Sequence, residues 1–202
     1  MSVPWASAAA ALEWTAVLLA IAYLALAIRQ SILCWLCGGT SSAIYAYLTY
    51  DAGLSMQALL NLFYVGMAIY GYWQWRGGQR GDEDLPVSVW SWRVHRLALS
   101  IIAVAAAGTT FVRLNLAPDA LLPVDVFADS AITFAALWTT FLVTRKELAN
   151  WAYWFVIDIA TIVLLIRQDL ETAALPFAVY LVMIPFGYRS WRRSYATQTV
   201  AA

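Results

Sequence analysis

Charge is what this chain has least of. Twelve basic and twelve acidic residues make up 12% of 202, against 63% apolar. A water-soluble domain carries about 25% charged residues, so so few charges cannot cover a water-facing surface, and the solvent is a bilayer. At about 20 residues per spanning helix, the length admits about eight spans at most and leaves little for a soluble domain. The apolar content excludes disorder, two cysteines do not make a secreted disulfide scaffold, and zero net charge excludes an electrostatic nucleic-acid binder. One histidine, one lysine and two cysteines also supply metal and thiol chemistry poorly, so no metal, cofactor or catalytic group is expected. Aromatics, by contrast, are plentiful at 15%, with eleven Trp and eleven Tyr. Stacking surfaces are in ample supply.

Apolar runs divided by turn or charged residues predict seven spans, roughly 11–28, 32–50, 56–75, 93–113, 124–144, 149–166 and 173–191. Asp51-Ala52-Gly53, the polar stretch Gly77–Pro86, the pair Pro118 and Pro123, and Arg167-Gln168-Asp169 supply breaks. No basic residue precedes the first run, so no cleavable signal peptide is expected and the first span serves as its own insertion signal. Basic residues collect on the cytoplasmic side of membrane proteins. With the N-terminus outside, Arg29, Arg76, Arg80, Arg93, Arg96, Arg145, Lys146, Arg189, Arg192 and Arg193 fall inside, and only Arg113 and Arg167 outside. That bias requires an odd number of spans, N-out and C-in.

The chain also resembles itself at a shift of 116 residues. Tyr70-Gly71-Tyr72-Trp73-Gln74-Trp75-Arg76 aligns with Phe186-Gly187-Tyr188-Arg189-Ser190-Trp191-Arg192. Tyr64 meets Tyr180, Met67 meets Met183, Trp35 meets Trp151, Arg29 meets Arg145 and Glu13 meets Asp129. Repeat one covers about 11–76, a linker helix about 93–113, and repeat two about 124–192, within one polytopic domain over 1–202. Three spans reverse the chain, and one linker helix restores its direction. The two three-helix repeats are therefore expected to run parallel, in a 3+1+3 all-α architecture, as in transporters that bind substrate near the midplane. A retinal protein is excluded, because it needs a lysine within the bundle and the only lysine, Lys146, sits at a membrane surface.

Polar side chains at membrane depth are costly and functional suspects by default. Trp151, Trp154 and Asp158 lie on one stripe of span six. At 1.5 Å per residue, Asp158 stands roughly 13 Å into that span. An acid with two indoles suits a flat cation, by charge pairing, stacking and cation–π attraction. The alternative is an acid bonded within the bundle, with the Trp residues as interfacial anchors. Span three carries Gln57, Asn61 and Tyr64 on one face, either for neutral hydrogen bonds to a ligand or for helix-to-helix bonds. Tyr180, the counterpart of Tyr64, reaches the same depth. Cys34-Trp35-Leu36-Cys37 spells CxxC but lacks a second ligand pair, so ordinary packing is expected. His95, between Arg93 and Arg96, reads as a surface residue, the 82–84 acidic cluster as a solvated loop, and Gly71 and Gly187 as close helix approaches.

Taken together, Asn61-xx-Tyr64 leading into Tyr70-Gly71-Tyr72-Trp73-Gln74-Trp75, then Glu147-xx-Asn150-Trp151-xx-Trp154-xxx-Asp158, and the closing Gly187-Tyr188-Arg189-Ser190-Trp191 resemble the PnuC-type bacterial vitamin transporters over most of the chain. The resemblance implies the SWEET-like 3+1+3 fold and facilitated uptake of nicotinamide riboside across the bacterial inner membrane, with relatives for thiamine and riboflavin. It implies inward drive from a cytoplasmic kinase that phosphorylates the vitamin, without required contact, and a homo-oligomer, a trimer being one form. By motif, Trp151, Trp154, residue 158 and the Gln57/Asn61 face would contact substrate. The family pattern allows an amide where this chain has Asp158. An acid there suits nicotinamide riboside or thiamine, both fixed cations, better than neutral riboflavin. A membrane-embedded transferase is the alternative of another class, opposed by the single histidine and the lack of paired acids at depth. A SWEET-like sugar transporter is a third, since Trp also stacks on sugars.

Overall fold

The computed structural model describes residues 4–78, 85–116 and 122–201. Seven helices follow in order: α1 Pro4–Ile28, α2 Leu33–Asp51, α3 Ser55–Gly78, α4 Trp92–Leu116, α5 Pro123–Thr144, α6 Asn150–Arg167 and α7 Glu171–Ala201. Each coincides with one span read from the sequence. Five are long and apolar enough to cross a membrane: Ala9–Ile28, Trp92–Leu116, Pro123–Thr144, Asn150–Arg167 and Ala173–Val200. Helix α2 carries Gly38-Gly39-Thr40-Ser41-Ser42, and α3 carries Gln57, Asn61 and Gln74, which lowers their hydropathy. The acidic cluster 82–84, Arg80 and Pro118 lie outside the described residues.

The connections between helices repeat in backbone detail. Among the described residues four have left-handed φ: Gln30 at 55°, Gly53 at 77°, Lys146 at 47° and Asp169 at 57°. Gln30 and Lys146 stand 116 residues apart, and so do Gly53 and Asp169. Each follows a helix and is succeeded by an amide that reaches back five residues. Ser31 N–H donates to Leu26 O at 2.9 Å and Glu147 N–H to Leu142 O at 3.0 Å. Leu54 N–H donates to Thr49 O at 2.8 Å and Leu170 N–H to Leu165 O at 2.9 Å. This is the Schellman closure, which satisfies otherwise orphaned carbonyls through one left-handed residue. The same offset relates the ends of α1 and α5, of α2 and α6, and the starts of α3 and α7.

The chain divides into two compact units. One comprises Met1–Val87, Thr144–Lys146 and Phe186–Ala202, the other Ser88–Val143 and Glu147–Pro185. The boundary within α7 falls at Pro185, one of two prolines inside that helix.

In the first unit α2 packs on both α1 and α3. A cluster of aromatic rings forms its core: Trp35 meets Tyr23 at 6.0 Å and Trp75 edge-on at 5.3 Å, and Trp75 meets Trp191 at 6.1 Å. Gly71 makes this possible, because a Cβ there would overlap Cε2, Cζ2 and Cη2 of Trp35. Cys34 is fully buried beside Trp35. The Trp191 indole N–H donates to Ala27 O and the Ser190 hydroxyl to Ile28 O, both at 2.9 Å. They cap the end of α1, where carbonyls lack intrahelical donors. Gln30 and Ser194 share a further bond at 2.9 Å, which holds α7 helical well past residue 191.

In the second unit two ion pairs tie α5 to its neighbours, Arg113–Asp129 on α4 and Arg167–Asp125 on α6. Trp90 meets Trp138 and Phe141 edge-on, and those two rings are tilted against each other, with centroids 5.7–6.1 Å apart. His95 is not on the surface as expected. It is 5% exposed, since its ring lies between Trp92 and Tyr153, at 6.2 and 5.8 Å. The two flanking arginines face outward while the helix turns the imidazole in.

Candidate functional site

Helix α6 opens with Asn150 and Trp151, both buried. Its apolar residues are interrupted once by an acid, Asp158. Two turns separate Trp151 from Asp158, so the helical period brings them to one stripe with Trp154. The structure buries both ends of that stripe: Trp151 is 2% exposed and Asp158 is 3% exposed. Trp154 is half-buried between them. An interfacial anchor faces headgroups, so the burial of Trp151 speaks against that alternative. Among the described residues Asp158 has neither an ion pair nor a hydrogen bond. A buried ionised carboxylate is tolerated only with a compensating partner.

The remaining candidates divide by unit. On α3, Gln57 is exposed, and Asn61 and Tyr64 are half-buried. Asn61 Nδ2 donates to Gln57 O at 2.9 Å, spending an amide hydrogen on its own helix. Its acceptor Oδ1 stays available. The Tyr64 ring meets Phe63 at 5.8 Å. In the second unit Tyr180 of α7 is half-buried and edge-on to Phe177 at 6.0 Å.

A further polar cluster, missed in the sequence reading, occupies the turn between α5 and α6. Glu147 is 0% exposed, Asn150 1% and Lys146 3%. The Lys146 ammonium lies 4.7 Å from the Trp75 ring centroid, a cation–π contact. Glu147 Oε1 accepts from Trp90 N–H at 3.2 Å and lies 3.8 Å from His95 Nε2. His95 Nδ1 in turn is 3.2 Å from the Tyr153 hydroxyl. Burial, the largest influence, raises the Glu147 carboxyl above its ordinary value against the lowering pull of the Trp90 amide, His95 and the Ala149 and Asn150 amides. Charged residues in a loop between spans ordinarily read as solvated. Here Leu148 N–H bonds Ser88 O at 2.9 Å and draws the 85–91 segment over the turn. The only advance signal was the Glu147-xx-Asn150 spacing. No group of three His, Cys, Asp or Glu side chains among the described residues is arranged to hold a metal.

The sequence model for the nicotinamide mononucleotide transporter matches residues 10–193, nearly the whole chain. The chain belongs to that family. Among curated relatives of this transporter, the riboflavin/roseoflavin transporter RibM of Streptomyces davaonensis is 27% identical over 183 residues, 86% of this chain and 81% of that one. The nicotinamide riboside transporter PnuC of Escherichia coli is 23% identical over 179 residues, 75% and 72% of the two chains. A crystal structure of the vitamin B3 transporter PnuC superimposes with a TM-score of 0.71 at 22% identity, covering 92% of this chain and 82% of that one. The transporter therefore shares the PnuC fold and is a multi-pass protein of the bacterial inner membrane. These relatives are transporters, one of riboflavin and roseoflavin and one of nicotinamide riboside, so they differ from one another in substrate.

Proposed function

We propose that this transporter carries a cationic vitamin, with nicotinamide riboside as the first candidate and thiamine the second. The observation that carries this reading is Asp158, buried at 3% exposure and without an ion pair among the described residues. A fixed positive charge on the ligand would compensate that carboxylate in a medium where charge interactions are weakly screened. Trp151 and Trp154 on the same stripe would stack on the planar ring, adding cation–π attraction of about 0.5–2 kcal/mol. Gln57, Asn61, Tyr64 and Tyr180 would bind the ligand's hydroxyl and amide groups, for which amides and phenols suffice without added charge.

The 3+1+3 parallel arrangement belongs to the same proposal. It is supported by the 116-residue recurrence of Schellman closures and helix ends. It is supported too by the contact of Trp75 with its own counterpart Trp191 near the ends of both repeats. Mates that meet near one membrane face suit an axis along the membrane normal. The N-out orientation rests on the Lys/Arg count alone, ten bases inside against Arg113 and Arg167 outside. Transport would be passive, by alternating access, with inward flux sustained by a cytoplasmic kinase that phosphorylates the vitamin; the assembled form would be a homo-oligomer.

A second reading is riboflavin, favoured by the similarity to RibM over 86% of the chain. The two readings separate on charge. Calorimetry of the purified protein with nicotinamide riboside, thiamine and riboflavin should show binding of the cations. Asp158→Asn should weaken a cationic vitamin at least tenfold and riboflavin little. Tight riboflavin binding that ignores the Asp158→Asn change would refute the cation assignment.

A further inference from the structure

We infer that Glu147 is a proton-binding site in the α5–α6 turn, held as the neutral acid with its Oε2–H donating to Oδ1 of Asn150. The reasoning starts from an imbalance of donors. Glu147 Oε1 has the Trp90 amide at 3.2 Å, but Oε2 is buried with no hydrogen-bond partner. Asn150 spends Nδ2 on the Glu147 carbonyl at 2.6 Å, and its Oδ1 is likewise buried without a partner. Two acceptors three residues apart, joined by that bond, both lack a donor. Buried acceptors left unpaired are rare and costly. A carboxylate adds no donor, whereas a carboxylic acid adds one. One proton from water, converting the carboxylate to the acid, therefore pairs both atoms and removes a buried charge.

Among the described residues no group lies within hydrogen-bond geometry of Oε2; the Ala149 and Asn150 amides at the start of α6 draw on the carboxyl and pull its pKa down, as the Trp90 amide does, but less than burial raises it. From α4, His95 Nε2 is 3.8 Å from Oε1, beyond hydrogen-bond reach, and its Nδ1 is directed to the Tyr153 hydroxyl of α6. Arg93 and Arg96, on the same helix as His95, are exposed. Lys146, next in the turn, holds its ammonium against the Trp75 ring. From the 85–91 segment comes only the Trp90 amide, already on Oε1. The upward displacement of the Glu147 carboxyl by burial agrees with this assignment. The site is separate from Asp158 and independent of which vitamin is carried. Its proton closes the turn from which Asn150 starts α6.

Infrared spectra of the purified protein, recorded from pH 5 to pH 9, test the assignment. At pH 6, more than one unit above the ordinary glutamate pKa of 4.5, a buried-acid C=O band is expected. It should vanish in Glu147→Gln and persist in Asp158→Asn, which removes the other buried acid. Asn150→Ala keeps the acid and should move its band to higher frequency as the acceptor is lost; it carries the test if Glu147→Gln does not fold. A pH 6 spectrum without a Glu147 band, a band indifferent to Asn150→Ala, or a band abolished by sodium would each overturn the proposal. The last result would put a metal cation where the proton is assigned.

Discussion

Replacing Gly71 by alanine adds one methyl group at the tightest point of the first unit. That methyl would overlap three atoms of the Trp35 ring. The ring cannot step aside, because it is 3% exposed and wedged between Tyr23 at 6.0 Å and Trp75 at 5.3 Å. Overpacking of this kind costs about 1–3 kcal/mol. Alanine also favours the helix by about 1 kcal/mol over glycine, so the net loss should reach about 2 kcal/mol at most. For a chain of this size that corresponds to a fall of up to about 8 °C in Tm. Gly66, on the same helix, provides the control: its added Cβ meets nothing within 4 Å. Gly66→Ala should therefore leave Tm unchanged or raise it slightly. Thermal unfolding of the detergent-solubilised protein, followed by size-exclusion recovery, measures both. Equal stability of the two variants would refute the claim that Gly71 exists to admit Trp35.

Trp191→Phe keeps a ring in the aromatic cluster but removes the indole bond to Ala27 O, which retains the Gln30 amide as a donor; a loss of about 0.5–1.5 kcal/mol is expected from thermal unfolding. Gly53→Ala should cost about 1–2 kcal/mol for a purely conformational reason, since φ is 77° and nothing lies within 4 Å of the added Cβ. Gly53→Asn should cost less, as Asp169 already occupies the matching position at φ 57°. Stability should also depend on pH through Glu147. With its folded-state pKa raised above the ordinary 4.5, its contribution is full below about 4.5 and lost as pH rises through the folded-state pKa. Tm should fall over that interval in the natural protein and stay flat in Glu147→Gln; parallel curves would refute the linkage.

Much of the fold was legible because hydropathy marks spans directly. The helix ends of α2, α5 and α6 lie within a residue or two of the apolar runs that predicted them. Helix α7 departs furthest, continuing to Ala201, ten residues beyond the apolar run. Hydropathy ends at Trp191, but Ser194 bonds Gln30 and Gln198 bonds the Val87 amide, so docking prolongs a helix that partition into lipid does not require. At the candidate site, the period of an α-helix was enough to place Trp151, Trp154 and Asp158 on one stripe. Their burial was not readable, since it depends on which neighbouring elements cover the stripe.

By itself the sequence determined the solvent, the seven helices, the recurrence at 116 residues and the presence of one acid deep in a span. Each follows from composition or from a period along the chain. Only the tertiary structure decided what becomes of the loop charges. Glu147, Lys146 and His95 belong to segments that read as water-facing, and all three are buried: Glu147 beside the Trp90 amide, Lys146 against the Trp75 ring and His95 between Trp92 and Tyr153. Local pattern records where a chain leaves the membrane. Whether the residues it leaves there meet water depends on segments distant in sequence.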